Sequence, residues 1–111
     1  MDRLTAGEMK NQIRFEKVSR LPNQMGGYVP TWSLLCTIWG KYRQLSGKEL
    51  LLQQQVNPLI TVEIITRYRT DISTDNRAFY NNKYHNIISV IDEENTRVWL
   101  KIMCEVKQSD Q

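Results

Sequence analysis

Apolar and polar residues alternate along much of the chain, with the period of two that is typical of half-buried β-strands. This pattern predicts a short strand over residues 12–18, a long strand over 31–43, and further strands over 59–69 and 97–106. Each strand is expected to place its apolar series in a common core. The predicted inward residues are Ile13, Phe15, Trp32, Leu34, Cys36, Ile38, Tyr42, Ile60, Val62, Ile64, Tyr68, Val98, Leu100, Ile102, Cys104 and Val106.

Residues with turn-forming chemistry separate these strands. Asn81 and Asn82 lie between apolar segments at 78–80 and 83–91, and asparagine tolerates the positive φ of a tight hairpin turn. The stretch 21–27 is rich in turn formers and is predicted to be an exposed loop. Strands joined by such short connections predict an all-β fold, a small antiparallel barrel or sandwich.

One helix is predicted to interrupt the strands. Ser46 and Glu49 have the spacing of a capping box, in which the two residues satisfy each other's backbone N–H groups. The helix is expected to end at Asn57, because Pro58 disfavours the helical conformation in the residue before it. The helix therefore lies between the second and third strands.

The length of 111 residues fits a single domain. We expect a flexible N-terminal arm at 1–11, one folded domain at 12–107 and a C-terminal tail at 108–111. No apolar run approaches the roughly 20 residues of a membrane-spanning helix, and the N-terminus lacks the apolar stretch of a signal peptide. The protein is expected to stay in the compartment where it is made, without membrane contact.

Charge and cysteine content narrow the function only slightly. Lys and Arg number 15 against 12 Asp and Glu, and the net charge of +3 is too small to indicate nucleic-acid binding by itself. Cys36 and Cys104 lack C-x-x-C spacing and lie in strand-like stretches. They are predicted to be buried, reduced thiols rather than zinc ligands or a disulfide.

Residue patterns for catalysis are scarce. His85 is the single histidine, at a strand position, and no nucleophile or carboxylate motif accompanies it. The sequence has no glycine-rich phosphate loop, and the acidic turn at 92–94 lacks the spacing of a calcium loop. We therefore predict that the protein is not an enzyme and has no catalytic, cofactor-binding or metal-binding residues.

Apolar side chains are also predicted on the outward faces of the strands, where a solvated surface would be polar. The residues of this candidate subunit or partner interface are Leu35, Trp39, Ile65, Trp99, Met103, Arg67 and Arg69. Exposed tryptophan and arginine are typical of protein interfaces. The alternative is that the helix at 46–56 or the N-terminal arm covers these side chains within one chain.

Five segments follow one another in a distinctive order. They are Met9–Phe15, Trp32 leading through Thr37-Ile38-Trp39-Gly40, Leu45-Ser46-Gly47-Lys48-Glu49, Ile64–Arg69 and Arg77–Asp92. In this order and spacing they resemble the head–tail joining (head completion) proteins of tailed bacteriophages, over about residues 9–106.

The resemblance implies a small antiparallel β-barrel of five or six strands, with one short helix inserted between the second and third strands. It also implies a structural virion protein that forms a homo-oligomeric ring, commonly dodecameric, below the portal and its adaptor at the head–tail interface. Such a ring is assembled in the host cytoplasm, completes the head, helps to retain packaged double-stranded DNA as a stopper, and docks the tail or a tail-completion protein.

The resemblance further implies that the connection at 44–58 faces the central channel. Its candidate channel-facing residues are Leu51, Leu52, Gln53, Gln54 and Gln55. Neutral glutamines suit a channel through which DNA slides, because cations would pair with its phosphates. The run Leu50-Leu51-Leu52-Gln53-Gln54-Gln55 departs from the mixed charged and alanine residues common in the family, which leaves open whether the segment is a stable helix or a switchable element.

Two other functions fit the same residues. A tail-completion or tail-terminator protein of the same machine would assemble on the tail first. An OB-like nucleic-acid-binding module would bind single strands tightly and with strong salt dependence, whereas a connector subunit would bind DNA weakly as a monomer.

Overall fold

The computed structural model describes residues 9–22, 25–92 and 95–107, and within them the chain forms a closed barrel. Its elements are β1 (Asn11–Pro22), β2 (Tyr28–Gln44), α1 (Gly47–Val56), β3 (Val62–Arg67), β4 (Arg77–Tyr80), β5 (Lys83–Asp92) and β6 (Trp99–Val106). All neighbouring strands pair antiparallel, in the order β1-β2-β3-β6-β5-β4. This confirms the all-β barrel with its helix between the second and third strands. The C-terminal tail and residues 1–8 of the predicted arm lie outside the described residues.

The core fills the barrel with the inward series of β1, β3 and β6, as the alternation predicts. The central buried residues are Ile13, Phe15, Val62, Ile64, Ile72, Ala78, Ile87, Leu100, Ile102 and Cys104. Burial of one large aliphatic or aromatic side chain is worth about 1.5–3 kcal/mol, so this set is the main stabilising element of the domain. Cys104 is buried as predicted, whereas Cys36 is only half-buried, and both are free thiols. Burial raises the pKa of both thiols and keeps them unreactive.

A β-bulge at Leu35 overturns part of the predicted pattern in β2. Phe15 pairs with Cys36 and Glu16 with Leu34, so Leu35 is an extra residue without a partner. Alternation reverses at a bulge, and every side chain before it changes face. Leu35 consequently packs on the core, whereas Leu34, predicted to be inward, is 59% exposed, and Trp32 lies on the outer surface over Arg77.

The prediction for the start of β6 is wrong, whereas the prediction for the turn of the β4–β5 hairpin is confirmed. Val98 was placed inward by the alternation, but β6 begins one residue later at Trp99 and Val98 is exposed. Asn81 and Asn82 have φ of 55° and 66°, the two positive values that a type I′ turn requires, and the predicted hairpin is confirmed.

The hairpin of β1 and β2 is longer than the barrel. β1 pairs with β4 at Arg14–Glu16, and β2 pairs with β3 at Gly40–Gln44. Among the described residues, the segments 17–22 and 28–33 pair only with each other and form a two-stranded extension, the β1–β2 arm. This arm is consistent with the elongated dimensions of 52 × 27 × 27 Å.

His85 lies inside the barrel, in a polar pair within the core. Its Nε2 atom and the Tyr42 hydroxyl are hydrogen-bonded at 2.6 Å, and the Tyr42 ring stacks on Tyr80 with centroids 4.5 Å apart. Burial lowers the pKa of His85 and, with help from nearby Cys104 and Tyr80, raises the pKa of Tyr42 to about 12. Both side chains are therefore neutral at physiological pH, and His85 is a core residue.

The buried His85 predicts a pH dependence of stability. Its folded-state pKa is depressed, so the unfolded chain takes up the proton first, and the contribution to stability is lost as the pH falls below about 6.5. Urea unfolding between about pH 5 and 8 should show this decline in the wild-type protein and not in His85→Gln, which removes the single histidine. Parallel curves for the two proteins would contradict the assignment.

Candidate functional site

The interior of the barrel is filled with core side chains, so a binding surface must lie on the outside of the barrel. Within the described ranges, no three metal-ligating side chains come together as a metal site. No helix in this part of the chain is long and apolar enough to cross a membrane.

Two of the predicted interface residues are covered within the chain. Ile65 is 3% exposed and packs against Met9, with Trp99 beside it. Met103 is 1% exposed and lies in a small cluster that is separate from the barrel core and also contains Leu45, Ile60, Leu50 and Ile88. The alternative of intrachain cover is therefore correct for these two residues, because the N-terminal segment supplies Met9 and the helix supplies Leu50. Neither residue is available to a partner.

Three of the predicted interface residues form a continuous row on the outer surface, here called the tryptophan row: Trp39, Arg67 and Trp99. Gly40 pairs with Thr66 and Arg67 with Trp99, so these residues occupy neighbouring positions on β2, β3 and β6. The Arg67 guanidinium lies 4.9 Å from the centre of the Trp99 ring. Trp39 is 56% exposed and Trp99 is half-buried. The row presents aromatic surface and a cation together, the combination that protein interfaces favour.

The remaining two predicted interface residues lie elsewhere. Leu35 packs on the core because of the bulge. Arg69 follows β3 and donates to both oxygens of Asp71 at 2.9 and 2.7 Å, and this contact raises the pKa of Arg69. The pair is partly exposed, so its net contribution to stability is small.

α1 is attached to the barrel by a different contact from the predicted capping box. Ser46 is the N-cap residue, but its side chain makes no capping hydrogen bond. Glu49 instead accepts two hydrogen bonds of 2.7 Å from Arg43, whose guanidinium also binds Glu63. A bidentate arginine–carboxylate contact is stronger than a neutral cap, which explains the choice. The capping-box prediction is wrong, although the helix begins and ends where expected.

The candidate channel residues on α1 do not share one face. Gln54 points back to the barrel and donates to the carbonyls of Pro58 and Ile60, and Gln53 is half-buried. Gln55 and the two leucines, Leu51 and Leu52, are exposed. Successive helical residues are turned by about 100°, so five consecutive side chains must point in different directions.

No residue of α1 is buried, and its exposed side chains include large apolar ones beside Lys48, Glu49 and Gln55. Leu52 is 60% and Val56 is 81% exposed, and Leu59 just beyond the helix is exposed as well. Leu52 and Val56 are four residues apart and therefore lie on the same side of the helix. These two residues, with exposed Leu59 after the helix, are here called the α1 ridge. An exposed apolar ridge of this kind marks an interaction surface.

Sequence reasoning missed a stack of aromatic and arginine side chains at the base of the β1–β2 arm. The Arg77 guanidinium lies 4.1 Å from the Trp32 ring centre and 4.0 Å from that of Tyr84. Its Nε donates to Glu16 at 2.7 Å. Arg14 lies over Phe79 at 4.4 Å and extends the stack. These residues come from four strands, so only the strand register, which a single sequence does not show, brings them together.

The stack predicts that Arg77 stabilises the arm and the barrel together. Arg77→Met should lower the free energy of unfolding by about 1.5–3 kcal/mol, the range for a hydrogen bond to a charged group, because buried Glu16 loses this contact and keeps its ion pair with Arg14. Urea denaturation gives the value, and Arg69→Met at a more exposed ion pair is the control. Equal losses in the two variants would contradict the role assigned to Arg77.

A small rigid barrel that exposes a tryptophan row and an apolar helix ridge is suited to assembly with other proteins. The chain belongs to the phage head completion protein family, whose sequence model matches residues 4–107. It is therefore a virion component with a structural role in the phage head, and the family is not enzymatic. The resemblance seen in the sequence is confirmed.

Solved structures share the fold. Protein SF1141 from Shigella flexneri 2a is 23% identical with a TM-score of 0.80, and the match covers 96% of this chain and 99% of that one. A chain from the virion of a native gene transfer agent particle is 14% identical with a TM-score of 0.62, covering 98% and 100%. At these identities both likenesses concern the fold alone. No curated protein sequence matches the chain.

Proposed function

We propose that the chain forms a homo-oligomeric ring, dodecameric in its expected form, below the portal and its adaptor at the head–tail interface. The ring completes the head after packaging, helps to retain the double-stranded DNA, and provides the docking surface for the tail. The observation that supports the proposal is the family match over residues 4–107.

The exposed surfaces support a role in assembly. Trp39 on the tryptophan row and Val56 on the α1 ridge are large apolar groups left in water by the single chain. Removing such surface from water yields roughly 25 cal/mol per Å², so contact with neighbouring subunits would stabilise the ring. α1 contributes Leu50 to a buried cluster but buries no side chain fully, as expected for a helix that packs against a neighbouring subunit.

The charge arrangement favours this role over an OB-like nucleic-acid module. Arg43 and Lys101 both pair with Glu63, and Arg77 pairs with Glu16. These cations are occupied by carboxylates of the same chain, whereas a phosphate-binding groove presents its cations to the ligand.

The segment 44–58 is proposed to border the channel. It leaves the barrel as α1 and is held there by the Arg43–Glu49 contact and by Leu50. Exposed Gln55 offers a neutral polar surface to passing DNA, and the exposed cation of the segment, Lys48, lies about two turns away at the start of the helix.

Deletion of the gene tests the proposal. A phage that lacks the chain should accumulate heads without tails beside free tails in electron micrographs of lysates, and complementation should restore joined particles. The stage of action is read from two mutants: in one without tails the chain should co-purify with heads, and in one without heads it should be absent from the free tails. Recovery of the chain on the free tails of the second mutant would indicate a tail-completion protein, and normal tailed, filled particles without the chain would overturn the proposal.

A further inference from the structure

We propose that the α1 ridge of one copy docks on the tryptophan row of the next copy, so that two unlike surfaces close the ring head to tail. The inference rests on the proposed ring and names the surfaces that hold it together. The occupant of each surface is a second copy of this chain.

The α1 ridge is directed away from its own barrel. Leu50 and Gln54 form the inner side of the helix: Leu50 packs on the cluster around Met103, and Gln54 binds the carbonyls of Pro58 and Ile60. Leu52 and Val56 are turned about 200–240° from Leu50 at 100° per residue, and they therefore point outward. Leu50, Gln54 and the Glu49–Arg43 contact fix the orientation of the helix. A small rotation of α1 therefore would not bring the ridge into contact with its own barrel.

The two surfaces lie at opposite ends of β3. α1 leads into β3 at Val62, and the tryptophan row includes Arg67 at the other end of the same strand. Five residue steps of about 3.3 Å separate these ends by roughly 17 Å. One subunit with two unlike apolar surfaces at separate places is suited to a heterologous contact, which repeats around a ring. A twofold contact between two α1 ridges would stop at a dimer and leave the tryptophan row uncovered.

Charge complementarity favours the same pairing. The last turn of α1 carries no basic residue, so the partial negative charge of its carbonyl end is not neutralised by a cation from that turn. Val56 is the final helical residue and lies at this end. The tryptophan row supplies an exposed cation, Arg67, held in place over the Trp99 ring. Apolar surface thus meets apolar surface, and a guanidinium meets a helix C-terminus.

Gln55 lies at one edge of the α1 ridge. It is turned about 100° from Val56 but only about 60° from Leu52 around the helix. A neighbouring barrel docked on the ridge therefore lies close to Gln55, which would border the channel at the rim of the ring contact.

Cysteine cross-linking in assembled particles tests the pairing. A chain with both Lys48→Cys and Thr37→Cys is supplied to the phage in place of the wild type, and purified particles are oxidised. Both positions are exposed, Lys48 beside Leu52 on the helix and Thr37 beside Trp39 on β2, so the substitutions leave the two contact surfaces intact. The expected result is a ladder of cross-linked chains beyond the dimer, because each copy contributes one cysteine to each of two neighbours. Single Lys48→Cys and Thr37→Cys chains should remain monomeric. The wild type is the blank, since Cys104 is buried and Cys36 half-buried.

A second pair, Lys48→Cys with Thr70→Cys, covers the case in which the first two side chains are offset at the contact; Thr70 is exposed just beyond the Arg67 end of β3. No ladder from either pair, in particles that contain the chain in normal amount, overturns the inference and leaves the proposed function intact. A dimer from Lys48→Cys alone, or a cross-link from it to another virion protein, also overturns it. Absence of the wild-type chain from tailed particles would contradict the proposed function itself.

Discussion

A Trp39→Glu variant should fold as well as the wild type and fail to build infectious particles. The side chain is largely in water in the single chain, so its replacement should change the free energy of unfolding by less than about 0.5 kcal/mol. A central tryptophan in an interface contributes about 2–4 kcal/mol, which corresponds to a roughly 30- to 1000-fold loss of association. The loss recurs at every contact of a ring, so the titre of complemented phage should fall at least as far.

Two control variants distinguish the loss of an interface side chain from the effect of adding a negative charge. Trp39→Phe keeps an aromatic group and should retain most of the titre. Thr74→Glu adds the same charge at an exposed loop position between β3 and β4 and should have no effect. A normal titre for Trp39→Glu would show that the tryptophan row is not an interface, and unfolding of the purified variant would show that Trp39 supports the barrel.

A Gly40→Val variant should lose about 3 kcal/mol of stability or more, at the upper end of the range for overpacked cores. A Cβ atom at position 40 would lie 2.9 Å from the Ile65 carbonyl oxygen, 3.1 Å from Thr66 Cγ2 and 3.2 Å from Ile13 Cδ1. The first of these atoms belongs to the backbone and cannot rotate away, so β2 and β3 must move apart. The melting temperature should fall by roughly 10–20 °C.

Graded substitutions distinguish this steric effect from a general effect of removing glycine. Gly40→Ala should show an intermediate loss, because it adds the Cβ atom alone. Gly47→Ala is the matched control: Gly47 has φ of 57° and open space around it, so the cost there is one of backbone conformation. A Gly40→Val protein that melts within a few degrees of the wild type would contradict the close approach of β2 to β3.

The strands, the Asn81-Asn82 hairpin and the place of the helix were predictable because local chemistry determines them. Period-two alternation marks a half-buried strand, and two asparagines supply the positive φ of the turn. The inward positions of Trp32 and Leu34 were predicted wrongly, because a single extra residue at Leu35 reverses the faces and leaves no local signal in the sequence.

Tertiary contacts account for the unpredicted part of the candidate site. Ile65 and Met103 are on outward faces as the alternation suggests, but Met9 and Leu50 from distant parts of the chain cover them. The stack around Arg77 depends on pairing between strands that are far apart in the sequence. The tryptophan row was identifiable as a set of outward residues, and only the register β2-β3-β6 places its members side by side.

The central claim is that the chain forms a ring at the head–tail interface of the virion, and electron cryomicroscopy of purified tailed particles measures this directly. The account predicts six-stranded barrels arranged around the channel axis below the portal and its adaptor, with the α1 ridge of each copy against the tryptophan row of the next. Density for the chain only along the tail, or no density for it at the head–tail junction, would contradict the claim.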